Sequence, residues 1–480
     1  MISEPQSTRQ PESLLEAGPE PRSDLRPGPR PDPQPGPRRD PQPGPRPGAA
    51  YWSLVGASFI SSLGLGVYVP VLSLHARSLG ATAAMAGLLI ASSAAARVII
   101  SMPGAYLGER FGRKPVIIAG TVLRGAAAVM YSLATSFPPL LFWLFLMGLG
   151  AAMRQISILS AVALMSGAGK KGRAISTLQA GDLLGYSFGP AVGGIFAEKF
   201  GLQAPFLVLG VLEVISAVVV LALFREVRDA PRAARQAGGG SALAAVKDPV
   251  FRVMALLSMS MILIRTGSYA TMTPLYASFK AGLTQSQIGT AMTMFSIALL
   301  VAVQFSGRWA DRGRRRELTT LYALVAGVAH VFIAQSRSFL SLATAQFMLG
   351  LGLGAAMPVP ASYIADTYDS ASMGLALGAL QTASEFGALI GPVTLGFIAD
   401  VAHGDYSVPM WVGGCFVAVA GLVTVAIMKQ PRPRSSAGLD DGLAAPCDGL
   451  AAPCGGLAAP RGGTTALTGS TARSDKGEPR

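Results

Sequence analysis

The sequence predicts an all-α membrane protein in which twelve transmembrane helices form two pseudo-symmetric six-helix bundles. Two observations carry this prediction: a series of long apolar runs, and an internal repeat that relates the two halves of the chain. The composition agrees with it. Apolar residues make up 51% of the 480 residues and charged residues only 14%, whereas soluble domains carry about 25% charged residues.

The apolar runs follow one another from Tyr51 to Met428. Because a helix needs about 20 apolar residues to cross the hydrocarbon core of a bilayer, each run predicts one crossing. The predicted helices, in chain order, are 51–75, 83–107, 115–135, 139–165, 173–198, 203–225, 250–279, 284–308, 317–336, 339–365, 373–400 and 408–429.

The remaining segments predict two tails and a linker. Residues 1–49 are rich in proline and contain Asp-Pro-Gln-Pro-Gly-Pro-Arg twice, so they have too few apolar residues to fold alone. We therefore expect a disordered cytoplasmic tail at 1–49, an N-terminal bundle at 50–225, a cytoplasmic linker at 226–248, a C-terminal bundle at 249–429 and a second disordered cytoplasmic tail at 430–480.

An internal repeat relates the two sets of six helices. Identical residues recur at a constant offset of 202, as in Gly87 with Gly289, Gln179 with Gln381, Gly189 with Gly391, Pro190 with Pro392 and Gly194 with Gly396. Two halves repeated in the same orientation place a substrate site at their interface, near the membrane midplane. The repeat therefore favours a transporter among polytopic membrane proteins.

The formal charge of +13 lies mostly in short loops on one side of the predicted membrane. Alternate loops on that side hold sixteen Lys and Arg residues, and those on the other side hold four. Such a bias marks the cytoplasmic side. We expect a multi-pass protein of the cell (inner) membrane with both termini cytoplasmic, and no nucleic-acid partner.

Two loops carry related motifs. The loop after the second helix reads Gly104-Ala-Tyr-Leu-Gly-Glu109-Arg110-Phe-Gly112-Arg113-Lys114, and the loop after the eighth reads Gly307-Arg-Trp-Ala-Asp311-Arg312-Gly313-Arg-Arg-Arg316. Both resemble the loop signature of the major facilitator superfamily, and the resemblance covers about 380 residues. It implies the major facilitator fold and makes these loops latches on a conformational change. An acid next to an arginine can bond to a neighbouring helix in one state and release it in another. The latch residues are Glu109, Arg110, Gly112, Arg113, Asp311 and Arg312.

The fifth helix carries a second motif, with glycines spaced for close helix packing around a proline. Its residues are Gly185, Gly189, Pro190, Gly193 and Gly194. The motif resembles one in the superfamily's antiporters, especially the drug/proton efflux branch, and so implies export. One departure weakens that assignment, because Leu144 stands where the branch usually has an arginine tied to proton coupling.

Five charged residues fall well inside apolar runs, namely Arg97, Arg154, Asp182, Arg265 and Glu385. Each costs roughly 2.5–3.5 kcal/mol at the bilayer centre if it faces lipid. We therefore expect them, with Tyr186 and Gln381 on the same helical faces, to line a substrate or proton-coupling cavity. Asp182 and Glu385 are candidate proton carriers, and Arg154 and Arg265 would hold an anionic group. The alternative is a structural role as ion pairs, which we favour for Arg124, Glu213 and His330 on helices that the family places peripherally.

Together these patterns predict a secondary active transporter that works by alternating access, with proton-coupled export of a small organic compound as the favoured activity. Uptake or exchange of an anionic metabolite is the alternative, and a non-transporting membrane sensor on the same scaffold is an alternative of another class. We expect no enzymatic activity, no metal and no cofactor, with the proton gradient as the energy source. The expected partners are the substrate, protons and the lipid bilayer, and the expected state is a monomer.

Overall fold

A computed structural model describes residues 48–166, 171–224, 248–368 and 370–428. The predicted tails and linker lie outside these residues, apart from residues 48, 49 and 248. Within the described ranges the chain forms twelve successive membrane-length helical segments, close to the predicted bounds.

The N-terminal half contains α1 (Ala49–Ser78), α2 (Ala83–Phe111), α3 (Arg113–Ser132), α4 (Phe137–Met165), α5 (Lys171–Phe200) and α6 (Ala204–Leu223). In the C-terminal half, α7 comprises Pro249–Leu263, a π-helical segment Ile264–Met272 and Thr273–Phe279. It is followed by α8 (Gln285–Asp311), α9 (Arg315–Gln335), α10 (Phe339–Ala356 and Val359–Thr367), α11 (Ser370–Val401) and α12 (Ser407–Ile427).

Eleven of the described helices are long and apolar enough to cross a membrane by themselves, and α5 is the exception. Its sequence includes Gln179, Asp182 and Glu198 among many small residues. Such a helix depends on its neighbours to shield its polar groups from lipid. In the structure α5 packs against α1 on one side and α8 on the other.

Glycines bring helices into backbone contact within each half. A Cβ added to Gly185 of α5 would lie 2.2 Å from the carbonyl oxygen of Phe59 on α1. A Cβ added to Gly387 of α11 would lie 2.4 Å from that of Met259 on α7. The same helix pair is therefore packed in the same way in both halves, with small residues allowing the backbones to approach.

Equivalent glycines also join the two halves. A Cβ on Gly289 of α8 would lie 2.1 Å from the Pro190 carbonyl oxygen of α5, and one on Gly87 of α2 would lie 2.1 Å from that of Pro392 on α11. Gly87 and Gly289 differ by 202 positions, and so do Pro190 and Pro392. The internal repeat is thus present in three dimensions, and the expected pair of related six-helix bundles is confirmed.

The contacts between the bundles are concentrated toward one side of the membrane. We call the side where α1 begins and α12 ends the near side, and the opposite one the far side. In the described part of the chain, the polar contacts that join the bundles lie at mid-depth or on the far side. They connect Arg77 with Phe279, Ala83 and Ala84 with Asp400, Arg97 with Glu385, Tyr186 with Arg265, Ser187 with Ser296, Ala191 with Thr293, and Glu198 with Ser286. The structure is therefore closed on the far side.

Candidate functional site

An ion pair joins the two bundles at mid-depth. Arg97 of α2 donates from Nε and Nη2 to Glu385 Oε2 of α11, at 3.2 and 3.0 Å. Gln381, one helical turn before Glu385, donates to its other carboxylate oxygen at 3.3 Å. The side chains of Arg97 and Glu385 keep 29% and 20% of their exposure, so the pair is partly accessible. Three of the predicted cavity residues thus form one cluster across the interface.

A second contact crosses the interface between α5 and α7. The Arg265 guanidinium carbon lies 5.8 Å from the centroid of the Tyr186 ring, within the range of a cation–π interaction. Arg265 belongs to the π-helical segment of α7. Segments of this kind are rare and occur frequently at functional sites. The predicted residues Tyr186 and Arg265 are therefore brought together, each from a different bundle.

Asp182 and Arg154 are held by hydroxyl groups of α1. Ser62 Oγ donates to Asp182 Oδ1 at 2.8 Å, and Arg154 Nη1 donates to Ser58 Oγ at 3.5 Å. Asp182 is half-buried, one turn before Tyr186 on α5, whereas Arg154 is buried with 6% exposure. Its Nε atom has no partner among the described residues. Asp182 is therefore partly accessible, whereas Arg154 lies inside the N-terminal bundle.

The latch residues lie on the near side. Arg110 is exposed and contacts Tyr106 and Phe111 of its own helix, and Asp311 and Arg312 are exposed as well. Arg113 donates to Ser160 of α4 at 3.0 Å, inside the same bundle. Gly112 has φ +91°, a conformation that favours glycine, and so permits the sharp turn from α2 into α3. The side chain of Glu109 is outside the described residues.

The glycines of the α5 motif serve close packing. Gly185, Gly189 and Gly193 face the backbone of α1, and Gly194 faces Gln285 of α8 across the interface. Pro190 leaves α5 continuous. The next residue, Ala191, donates its backbone N–H to Thr293 Oγ1 of α8 at 2.9 Å. The motif therefore lies where α5 meets both its own bundle and the opposite one.

Two charged residues assigned to structural roles form a buried ion pair. Arg124 Nη1 of α3 lies 3.0 Å from Glu213 Oε1 of α6, with exposures of 3% and 1%. Ser61 of α1 accepts from Arg124 at 2.8 Å and donates to Glu213 at 2.5 Å. This arrangement connects three helices within the N-terminal bundle.

Sequence reasoning missed two carboxylates that bond to helix N-termini across the interface. Asp400 of α11 accepts from the backbone N–H groups of Ala83 and Ala84 at the start of α2, at 2.9 Å each. Glu198 of α5 accepts from Ser286 N at the start of α8, at 2.8 Å. A signal was present, because Glu198 and Asp400, and likewise Ala84 and Ser286, differ by the repeat offset of 202.

The fold agrees with comparisons to known proteins. The family model of the Major Facilitator Superfamily matches residues 54–284 and 254–445. Because these matches cover more than half of the chain, the protein belongs to the major facilitator superfamily, as its loop motifs indicated. It is a multi-pass membrane transporter that resembles the drug efflux branch.

Two relatives are similar over most of the chain. Quinolone resistance protein NorA of Staphylococcus aureus is 24% identical over 377 residues, which cover 78% of this chain and 95% of NorA. An uncharacterised MFS-type transporter of Methanocaldococcus jannaschii is 24% identical over 349 residues, covering 72% of this chain and 89% of that protein.

Solved structures share the fold at lower identity. The nucleoside transporter NupG superposes with a TM-score of 0.67 at 13% identity, covering 79% of this chain and all of NupG. A bacterial homologue of the human lysosomal transporter Spinster, in an inward-facing and unoccupied conformation, superposes with a TM-score of 0.68 at 14% identity. The match covers 78% of this chain and 96% of that protein. At these identities the likeness concerns the fold alone.

Proposed function

We propose that this transporter exports a small organic compound in exchange for protons, by alternating access between the two sides of the membrane. The observation that carries this proposal is the ion pair between Arg97 and Glu385, which joins the bundles through a partly accessible carboxylate. A proton on Glu385 would remove its negative charge and with it the ion pair. Proton binding would thereby change the free-energy difference between the two arrangements of the bundles.

The ion pair between Arg97 and Glu385 determines which state of the transporter protonation favours. The ionised carboxylate of Glu385 stabilises the far-side-closed state, and protonation removes that stabilisation. Asp182 bonds to Ser62 within its own bundle, so its protonation breaks no inter-bundle bond. We therefore assign the coupling to Glu385 and not to Asp182.

Three observations support export across the cell membrane. The α5 motif resembles that of antiporters, and the name of the relative NorA refers to quinolone resistance. The near side carries the basic loops, which indicates that it is cytoplasmic. In the far-side-closed state the cluster would then load from the cytoplasm. We propose that both termini are cytoplasmic and that the monomer is the working unit.

The test measures transport of norfloxacin, a quinolone, in proteoliposomes with an imposed pH gradient. We expect wild-type protein to accumulate norfloxacin against its gradient. The Glu385→Gln variant should lose this accumulation by at least about tenfold, yet retain exchange of labelled for unlabelled norfloxacin at equal pH within about twofold. The control is Asp405→Asn, which removes a carboxylate that pairs with Lys280 inside the C-terminal bundle.

Two results would overturn the proposal. Uphill accumulation in Glu385→Gln equal to that of the wild type would remove Glu385 from the coupling step. Wild-type transport that is insensitive to the pH gradient would remove proton coupling altogether.

Uptake or exchange of an anionic metabolite is the second candidate. It is favoured by Arg265, which has no carboxylate within 4 Å among the described residues. In everted vesicles the two candidates give opposite results. Export would accumulate the compound inside when the interior is acidic, and proton-coupled uptake would expel it.

A further inference from the structure

The charges at the bundle interface separate into a paired and an unpaired group. Arg97 and Glu385 neutralise each other at 3.0 Å. Arg265 has no acidic partner in the described ranges, and its charged end contacts the face of Tyr186. Asp182 likewise has no basic group within 4 Å in that part of the chain and accepts only from the neutral hydroxyl of Ser62. At the interface, Arg265 and Asp182 are thus left without a charged group of opposite sign within 4 Å among the residues that the structure describes.

These two charges lie on different bundles, on either side of the interface, and both are near Tyr186. Asp182 and Tyr186 are four residues apart on α5, which corresponds to about 6 Å along the helix axis. Arg265 on α7 lies over the ring of Tyr186, at 5.8 Å. Tyr186 is therefore next to a guanidinium of one bundle and one helical turn from a carboxylate of the other. All three side chains are half-buried and thus partly accessible.

Two charges without an ionic partner at mid-bilayer are unfavourable. A ligand that compensates only one of them places its own charge near a protein charge of the same sign. An anion at Arg265 would lie close to the Asp182 carboxylate, and a cation at Asp182 would lie close to the Arg265 guanidinium. A ligand with both charges in complementary order satisfies both side chains.

We propose that Arg265 and Asp182 form a two-ended site for a small aromatic ampholyte, with its anionic group on Arg265, its cationic group on Asp182 and its ring against Tyr186. The inference rests on the proposed transport function and names the substrate class of that same site. Arg154 is not part of it, because this arginine is buried inside the N-terminal bundle and bonded to Ser58.

The test is equilibrium binding to the full-length protein in lipid nanodiscs without a pH gradient. The probes are phenylalanine, 4-(aminomethyl)benzoate and norfloxacin, which differ in the separation of their charges. Each is compared with its ester, which retains only the positive charge, and its N-acetyl derivative, which retains only the negative one. We expect at least one ampholyte to bind about ten times more tightly than both of its derivatives.

The variants make the readout specific to each end of the site. Arg265→Gln should bind the ampholyte and its ester equally, whereas Asp182→Asn should bind the ampholyte and its N-acetyl derivative equally. A mere loss of folding would weaken all three probes together and could not produce this crossed pattern. The control is Arg252→Gln, which removes an exposed arginine near the start of α7 and should leave the preference unchanged.

The proposal is overturned if a singly charged derivative binds as tightly as its parent in the wild type, or if none of the three ampholytes binds. It is also overturned if both variants keep the wild-type preference. Because no gradient is used, these outcomes are independent of whether Glu385 couples transport to protons. Failure of proton coupling would leave a positive binding result intact.

Discussion

The N-terminal and C-terminal bundles share their packing but differ in their charges. A Cβ added to Gly87 or to Gly289 would lie at the same distance, 2.1 Å, from a proline carbonyl oxygen of the opposite bundle. Three charged residues at mid-depth in the N-terminal bundle, in contrast, correspond at the repeat offset to neutral ones. Arg97, Arg154 and Asp182 correspond to Leu299, Ala356 and Ser384.

The buried ion pair of Arg124 and Glu213 is also confined to one bundle. Arg124 corresponds to Ala326. Gly125 contacts Gly210 as Gly327 contacts Gly414, so the offset in the sixth helix of each bundle is 204 and Glu213 corresponds to the buried Val417. Close packing is thus shared by the halves as a common scaffold, whereas these five charges occur in the N-terminal bundle alone.

The largest effect is expected from breaking the buried pair. Arg124→Ala leaves Glu213 buried without its cation, which typically costs 3–5 kcal/mol. The double variant Arg124→Ala/Glu213→Val imports the neutral pair of the C-terminal bundle and should recover at least about half of that loss. The measurement is thermal unfolding in micelles at a fixed scan rate. A double variant as unstable as Arg124→Ala would show that the two bundles do not tolerate the same residues, and the exposed Arg252→Ala is the control.

An intermediate effect is expected from the shared packing. Gly289→Ala places a Cβ 2.1 Å from the Pro190 carbonyl oxygen, so α8 and α5 must separate. Strain of this kind costs about 1–3 kcal/mol and should increase the population that is open on the far side by about tenfold. Gly307→Ala on the same helix is the control, because nothing lies within 4 Å of its added Cβ.

The reporter is a cysteine that replaces Ser187, which is 1% exposed between α5 and α8, in a background without native cysteines. Its labelling by a membrane-impermeant maleimide from the far side measures opening. Gly87→Ala should raise labelling as Gly289→Ala does if the two bundles pack equivalently. Equal labelling in Gly289→Ala and Gly307→Ala would contradict the packing argument.

The smallest effect is expected from the two carboxylates at helix N-termini. A carboxylate in this position contributes about 0.3–1 kcal/mol. Asp400→Asn should raise labelling of the same cysteine several-fold, and Glu198→Gln less, because Asp400 accepts two backbone bonds and Glu198 accepts one. The ranking would be wrong if Glu198→Gln had the larger effect.

Asp405→Asn is the matched control for these carboxylates. Lys280 donates a hydrogen bond to Asp405 and holds the pKa of this carboxyl below its usual range. The pair is therefore formed at neutral pH and is lost only as the pH falls through that lowered value. Because both residues belong to the C-terminal bundle, neutralising Asp405 should leave far-side labelling unchanged.

Much of this architecture could be predicted from the sequence, because bilayer thickness fixes the length of each apolar run and the repeat fixes the relation of the halves. The partner of each charged residue could not be predicted from the sequence. Arg97 and Glu385 are 288 residues apart, and only the packing of α2 against α11 brings them together. Arg154 and Arg265 both fall inside apolar runs of the sequence, yet Arg154 is buried within one bundle. Accessibility depends on the rotation of each helix, which apolar composition specifies weakly.

The π-helical segment of α7 determines where the side chain of Arg265 lies. Phe59 and Met259 play equivalent roles at an offset of 200, whereas Gly80 and Gly282, which end the first helix of each half with positive φ, differ by 202. Between these points α7 therefore has two residues more than α1, and the wider turns of Ile264–Met272 accommodate them. Deleting both would restore the register of α1 and rotate the arginine away from Tyr186. Arg265 thus lies where the two repeats differ in length, and a comparison of the halves at one fixed offset would pair it with the wrong residue.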